Sequence, residues 1–160
     1  YDWLLNDPES NFESVMHASC QVNNMEIFLE TLKQGFDITK IHKGHAPIHC
    51  AALNGHCDIL NILLTLPYVD VNCLTSENIL KTLFYESPLH LAVYGRQIDA
   101  VRLLLKQPNI NVNCQYKNSF FTPLHIAVRE SNEEIVKLLL ADKRIKITVI
   151  NFVFLFICFV

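Results

Sequence analysis

The sequence predicts an all-α fold, a solenoid of stacked helix-turn-helix units. The first observation behind this prediction is a repeat, because three segments align with their prolines in register. They are APIHCAALNGHCDILNILLT from Ala46, SPLHLAVYGRQIDAVRLLLK from Ser87 and TPLHIAVRESNEEIVKLLLA from Thr122. A degenerate copy, VMHASCQVNNMEIFLETLKQG from Val15, precedes them. The second observation is composition, since 51% of the 160 residues are hydrophobic, enough to fill a continuous core.

Each copy opens with the pattern of a short helix. Ser87 and Thr122 place a hydroxyl directly before a proline, as an N-cap does before the first helical residue, whereas Ala46 offers no such cap. In the third copy this pattern predicts a first helix over about Pro88–Tyr94, followed by a turn.

A second helix follows the turn in each copy. In the last copy its apolar stripe is predicted to consist of Ile135, Val136, Leu138, Leu139 and Leu140. Glu133 and Lys137 stand four residues apart on its outer face and should form a weak ion pair. Neither helix of a pair can bury its stripe alone, so neighbouring pairs must stack as they do in a solenoid.

The core [Ser/Thr]-Pro-Leu-His-x-Ala, followed by Ile-Val-x-Leu-Leu-Leu and then Val-Asn, resembles the ankyrin repeat over residues 15–147. The resemblance implies an L-shaped stack with β-hairpin loops between the helix pairs, whose partners bind a concave face made of hairpin tips and first helices. The glycine that this family places between the two helices is present as Gly55. Arg96 and Ser131 replace it in the later copies, so we expect those turns to adopt a less ideal geometry.

We divide the chain into an N-terminal extension at residues 1–12, an ankyrin array at 13–148 and an apolar tail at 149–160. The repeats of the array are expected at 13–43, 44–84, 85–119 and 120–148. The loop between Asn72 and Pro88 is longer than the pattern requires. Its insert, LTSENILKTLFYE, is predicted either to extend a hairpin or to form an extra helical turn.

Composition and spacing argue against nucleic-acid binding, metal binding and catalysis. A net charge of −3 lacks the basic footprint of nucleic-acid-binding proteins. The segment from His45 to Cys57 has no zinc-ligand spacing, and we find no nucleophile elbow, P-loop or dinucleotide-binding turn. We therefore predict a protein without a cofactor, a metal or enzyme activity, whose six cysteines are free thiols in a reducing compartment.

The resemblance also assigns a structural role to one histidine in every copy. In ankyrin repeats this ring forms hydrogen bonds within and between repeats. The residues at that position are His17, His49, His90 and His125.

The residues expected to bind a partner lie at the hairpin tips and at exposed positions of the first helices, as the resemblance implies. They are His42, Lys43, His45, Leu53, Asn54, Phe84, Glu86, Tyr94, Asn118, Phe121, Arg129 and Glu130. The last two repeats are also rich in aromatic residues, namely Phe84, Tyr85, Tyr94, Tyr116, Phe120 and Phe121. Two interpretations of these rings stay open: they anchor an interface, or they are buried against one another.

These features together predict a non-catalytic scaffold, a cytoplasmic or nuclear monomer that binds another protein. The tail from Val149 to Val160 contains one polar residue, Asn151, and is shorter than the ~20 residues that span a bilayer. It fits a truncated or erroneous sequence, a hydrophobic cap over the last helix, or the start of a transmembrane helix. The third case implies an alternative function, the cytosolic ankyrin domain of a channel or palmitoyltransferase, and membrane contact is expected only if the tail continues. A regulatory domain attached to an enzyme upstream of Tyr1 is a further alternative.

Overall fold

The computed structural model describes residues 12–76, 86–116 and 120–147. Within these ranges eight helices form four consecutive pairs, so the predicted all-α repeat solenoid is confirmed. The pairs are α1 (Phe12–Val22) with α2 (Met25–Lys33), α3 (Pro47–Asn54) with α4 (Cys57–Thr65), α5 (Pro88–Tyr94) with α6 (Ile98–Leu105), and α7 (Pro123–Arg129) with α8 (Glu133–Ala141). The bounds of α5 are those that the sequence predicted.

The helices pack in two parallel rows. The first helices contact one another in the order α1, α3, α5 and α7, and the second helices contact one another in the order α2, α4, α6 and α8. Each first helix also packs against the second helix of its own pair. One hydrophobic core therefore runs the length of the stack, and its fully buried members include Phe28, Leu60, Leu104 and Ile126.

Side-chain caps occur at both kinds of helix. The Ser87 hydroxyl accepts the backbone N–H of His90 at 3.4 Å and caps α5, as predicted. Ala46 provides no side-chain cap to α3, also as predicted. Asn24 and Asn132 precede second helices, and each accepts a backbone N–H three residues ahead.

The turns between the two helices of a pair have the same geometry in all four repeats, and the prediction of less ideal turns is wrong. Arg96 (φ 59°) and Ser131 (φ 51°) adopt the same left-handed conformation as Gly55 (φ 72°). In each turn the following N–H donates to the carbonyl five residues before it, as Gln97 does to Ala92 at 2.9 Å. A residue with a β-carbon pays about 1–2 kcal/mol in this conformation. The replacement therefore changes stability and leaves the shape of the turn unchanged.

The stripe of the last helix is only partly buried. Ile135, Val136 and Leu139 are buried, but Leu140 keeps 41% of its surface exposed. Its equivalents in the earlier second helices, including Leu105, are partly buried against the core. The predicted ion pair between Glu133 and Lys137 is confirmed at 3.4 Å.

The segment that follows α8 is exposed as well. Ile38, Val71 and Val112 occupy one repeat position and are 3%, 3% and 2% exposed. Ile147 occupies that position in the last repeat and is 58% exposed. No helix among the described residues packs on this side of α8, which accounts for the difference.

The predicted hairpin loops are represented by one β-type contact in the described residues, between His42 and His45. The two backbones exchange hydrogen bonds of 2.8 and 3.0 Å. The loop insert and the apolar tail lie largely or wholly outside the described residues. Among the helices that are described, none has both the length and the apolar character that a membrane crossing requires.

Candidate functional site

The repeated histidines hold the hairpin loops to the first helices. Nδ1 of His49 accepts the backbone N–H of Ala46 at 2.9 Å, and its Nε2 lies 3.0 Å from the carbonyl oxygen of Cys73. His90 makes the equivalent contacts with Ser87 at 3.2 Å and with the carbonyl oxygen of Phe121 at 3.4 Å. The contact of His90 with Phe121 reaches the next repeat, whereas Cys73 begins the loop that follows the helix pair of His49. The expected hydrogen bonds within and between repeats are therefore confirmed.

This geometry fixes the tautomer of both rings. A backbone N–H can only donate, so Nδ1 carries no proton and Nε2 donates to the carbonyl. Burial lowers the pKa of His49 and that of His90 to about 4, because an imidazolium would lose its hydration. His17 and His125 make related contacts, with the carbonyl oxygen of His45 at 2.8 Å and the N–H of Thr122 at 3.0 Å.

One cluster of nucleophilic side chains lies beside this network. The Sγ atom of Cys114 is 3.1 Å from the Ser87 hydroxyl and 3.5 Å from Nδ1 of His90. Burial raises the pKa of the Cys114 thiol, and Nδ1 already accepts the Ser87 N–H, so the ring is not positioned to activate either nucleophile. The cluster packs the interior of the stack.

The described part of the chain offers neither a metal site nor a disulfide bond. The described residues contain no group of three or more His, Cys, Asp or Glu side chains arranged to hold a metal ion. The five cysteines that the structure describes are free thiols, and Cys158 lies outside the described residues.

Two asparagines that sequence reasoning did not single out connect successive repeats. Asn72 accepts the backbone N–H of Asn111 at 2.7 Å and donates to the carbonyl of Asn109 at 2.8 Å. Asn113 does the same one repeat later, with Lys146 and Arg144, both at 2.7 Å. The Val-Asn pattern marked these positions in the sequence. Their bridging role could be recognised only once the neighbouring loop was in place.

The first-helix residues proposed to bind a partner differ in exposure. Tyr94 is 52% exposed, Asn54 and Arg129 are exposed, and Leu53 and Glu130 are half-buried. Arg129 and Glu130 form an ion pair of 3.1 Å. Asn54 donates to the carbonyl of Cys50 at 2.9 Å.

The hairpin residues of the prediction lie partly inside the fold. Lys43 is exposed, whereas His42 and His45 are half-buried. Glu86 is also half-buried and accepts the Tyr116 hydroxyl at 2.9 Å, a contact that the sequence did not indicate. Burial is the main cause that raises the pKa of Glu86. Phe84 and Asn118 lie outside the described residues.

The two interpretations of the aromatic residues apply to different rings. Tyr116 is buried, and Phe121 is half-buried with its ring centroid 5.6 Å from His125 and 6.5 Å from Tyr116. The Arg129 guanidinium lies 6.0 Å from the Phe121 centroid. Tyr94 and Phe120 lie at the surface, with 52% and 71% of their surfaces exposed. Phe120 stands where repeat two has Gly44, which is the signal that could have identified it.

The structure brings Leu53 and Tyr94 onto adjacent helices at a point of close approach. A β-carbon added at Gly95, which follows Tyr94, would lie 2.1 Å from the Leu53 carbonyl oxygen. The ends of α3 and α5 therefore meet backbone to backbone. The two side chains lie on neighbouring positions of one continuous surface.

Comparison with known proteins agrees with this architecture. The family model for ankyrin repeats in three copies matches residues 1–75 and 70–151. A search of curated proteins gives no match. Ankyrin repeats are generally protein-interaction modules and are typically non-enzymatic. Since the matched ranges cover most of the sequence and the four helix pairs repeat the same contacts, the chain belongs to the ankyrin-repeat family.

Proposed function

We propose that this protein is a non-catalytic scaffold that binds a partner protein through the concave side of its array. The observation that carries the proposal is a row of exposed positions along the stacked first helices, in which Val22 and Tyr94 keep 61% and 52% of their surfaces exposed. Large apolar and aromatic side chains held at the surface are typical of interface anchors. The hairpin residues, with Lys43 exposed, would form the edge of the same surface.

Rigidity supports this function. Neighbouring repeats are connected by the bridging asparagines and by histidine contacts, so the first-helix row is fixed before a partner arrives. A preorganised surface loses little conformational entropy when it binds, and more of the contact energy contributes to affinity. We also propose a cytoplasmic or nuclear monomer, which the five free thiols of the described residues support.

Affinity capture from the source cells tests the proposal with matched variants. One bait carries Val22→Ser and Tyr94→Ser on first helices, and its control carries Leu29→Ser and Leu140→Ser on second helices. Leu29 and Leu140 are 37% and 41% exposed, so both baits remove exposed apolar side chains without opening the core. Circular dichroism and melting curves verify that each bait folds.

The expected result is a set of proteins captured by the wild type and by the second-helix control and lost from the first-helix variant. Phe121 is left unchanged because it packs against Tyr116 and His125, and its removal would mix folding with binding. Equal capture by the two variants would show that the first-helix row is not the binding surface.

A further inference from the structure

Charged residues are divided unevenly between the two rows of helices. The four second helices contain nine of them, whereas the four first helices contain two, Glu13 and Arg129. The rows have nearly equal numbers of residues, so length does not explain the difference. Because only the first helices supply the proposed binding row, the two sides of the array offer different chemistry to a partner.

The surface positions at the end of the first helices show the same shortage of charge. We call them the first-helix ridge; they lie four and five residues after each repeated histidine and are exposed or half-buried. The ridge consists of Gln21, Val22, Leu53, Asn54, Tyr94, Gly95, Arg129 and Glu130. Its only charges are in the last repeat, where Arg129 and Glu130 pair with each other at 3.1 Å. From the first to the third repeat the ridge carries no charge at all.

We infer that the first-helix ridge takes an uncharged, apolar segment of the partner protein, lying across repeats one to three against Val22, Leu53 and Tyr94. The inference rests on the proposed function and specifies the chemistry of the partner. A charged side chain buried on this part of the ridge would lose its hydration without gaining a counter-charge from the ridge itself, since the exposed Lys43 belongs to the hairpin at its edge. An aliphatic or aromatic side chain would lose only contact with water.

The polar groups of the ridge also limit which hydrogen bonds a partner can form with it. Asn54 already donates to the carbonyl of Cys50 at 2.9 Å. The Tyr94 hydroxyl, the Gln21 amide and the amide oxygen of Asn54 are further side-chain groups suited to hydrogen bonds in repeats one to three of the ridge. All three are neutral, so they suit backbone or amide groups of the partner and add no preference for a charge.

The second helices do not offer the same surface. Several of their charges are already in ion pairs, such as Arg102 with Glu134 at 2.8 Å and Lys137 with Glu133 at 3.4 Å. Exposed pairs of this kind keep a surface hydrated and contribute little to binding. An apolar segment therefore has a reason to select the first-helix ridge over the opposite side.

Selection from a random linear peptide library displayed on phage tests the inference with the whole chain as target. Selected peptides are synthesised, and their affinities are measured at about 0.05 M and about 0.5 M salt, between which the screening length falls about threefold. We expect peptides with a net charge near zero and a core of aliphatic or aromatic residues. Their dissociation constants should change less than about twofold with salt, because no ion pair forms.

Two variants locate the binding. Tyr94→Ala should raise the dissociation constants of the selected peptides about tenfold, because an aromatic anchor is lost. Leu29→Ala, on a second helix, should leave the affinity unchanged. Enrichment of acidic or basic peptides, or a steep loss of affinity with salt, would overturn the inference while leaving the scaffold function intact. If no selected peptide distinguishes Tyr94→Ala from wild type, both the inference and the proposed surface are wrong.

Discussion

Gly95 offers the sharpest test of how the stack is packed. Its φ of −70° lies in the ordinary right-handed region, so the backbone itself does not require glycine. On conformational grounds alone Gly95→Ala should stabilise the protein by about 0.4–1 kcal/mol, because alanine has fewer unfolded conformations to lose. The position of Leu53 predicts the opposite result.

The new β-carbon would lie 2.1 Å from the Leu53 carbonyl oxygen. Carbon and oxygen atoms normally approach no closer than about 3.3 Å, so α3 and α5 must separate by about 1 Å at a packed contact. Overpacking of this kind costs about 1–3 kcal/mol. After the conformational gain is subtracted, we expect a net loss of about 1–2 kcal/mol, which corresponds to a melting temperature lower by about 2–8 °C in a protein of this size.

Urea denaturation measures the effect, with Gly35→Ala as the matched comparison. Gly35 has a φ of +78° and no atom within 4 Å of an added β-carbon. Its substitution should cost about 1–2 kcal/mol through left-handed strain alone, without any change in packing. Only Gly95→Ala is therefore expected to loosen the packing of α5. The loosening should be measurable as faster amide hydrogen exchange in that helix. If Gly95→Ala is as stable as the wild type or more so, the close approach of α3 and α5 is wrong.

Two further predictions concern the histidine network and the exposed end. Because the pKa of His49 and that of His90 fall to about 4 on folding, stability should be complete above pH 6.5 and fall as the pH drops toward 4. Protonation of each ring should lower the free energy of unfolding by roughly 2 kcal/mol at pH 5. Urea midpoints that stay constant from pH 7 to pH 5 would contradict this expectation. Val112→Ala should lower the free energy of unfolding by about 2 kcal/mol, because Val112 is 2% exposed. Ile147→Ala should lower it by less than about 0.5 kcal/mol, because Ile147 is 58% exposed. Equal losses in thermal unfolding would mean that a further element covers Ile147.

The helix pairs could be predicted because their signals are local. Proline after a hydroxyl residue, as at Ser87, sets the start of a first helix, and the spacing of apolar residues sets the buried side of a second helix. Both signals recur, so each copy supports the others. The ion pair between Glu133 and Lys137 was predictable for the same reason, since it depends only on a four-residue spacing.

The errors have a common physical origin in contacts between repeats. The turns at Arg96 and Ser131 keep the geometry of Gly55, because packing of both helices and the N–H contact back to the first helix impose it. Leu140 carries the same apolar signal as Leu105, yet its exposure depends on whether another repeat follows. A pattern within one repeat contains no information about its neighbour.

The binding surface was the least predictable part, because family position indicates where a side chain lies and not what already occupies it. Glu86 matched a hairpin tip, but its carboxylate accepts the Tyr116 hydroxyl. Phe121 matched as well, but its ring lies among Tyr116 and His125. Tyr94 is 52% exposed and has no hydrogen bond of its side chain among the described residues, so we expect it to be the member of the predicted set best placed to contact another protein.

The distribution of roles along each repeat explains why a shared architecture can serve different partners. The buried histidines and the bridging asparagines contact backbone groups, which every sequence possesses, so they can recur without regard to the partner. The residues four and five places after each histidine do not bridge repeats in this way, and those at the first of the two places are Gln21, Leu53, Tyr94 and Arg129. With the exception of Gly95, which packs against the Leu53 carbonyl, changes at these positions are expected to alter recognition at little cost in folding stability. Specificity in this array is therefore expected to follow the ridge, and stability to follow the network beneath it.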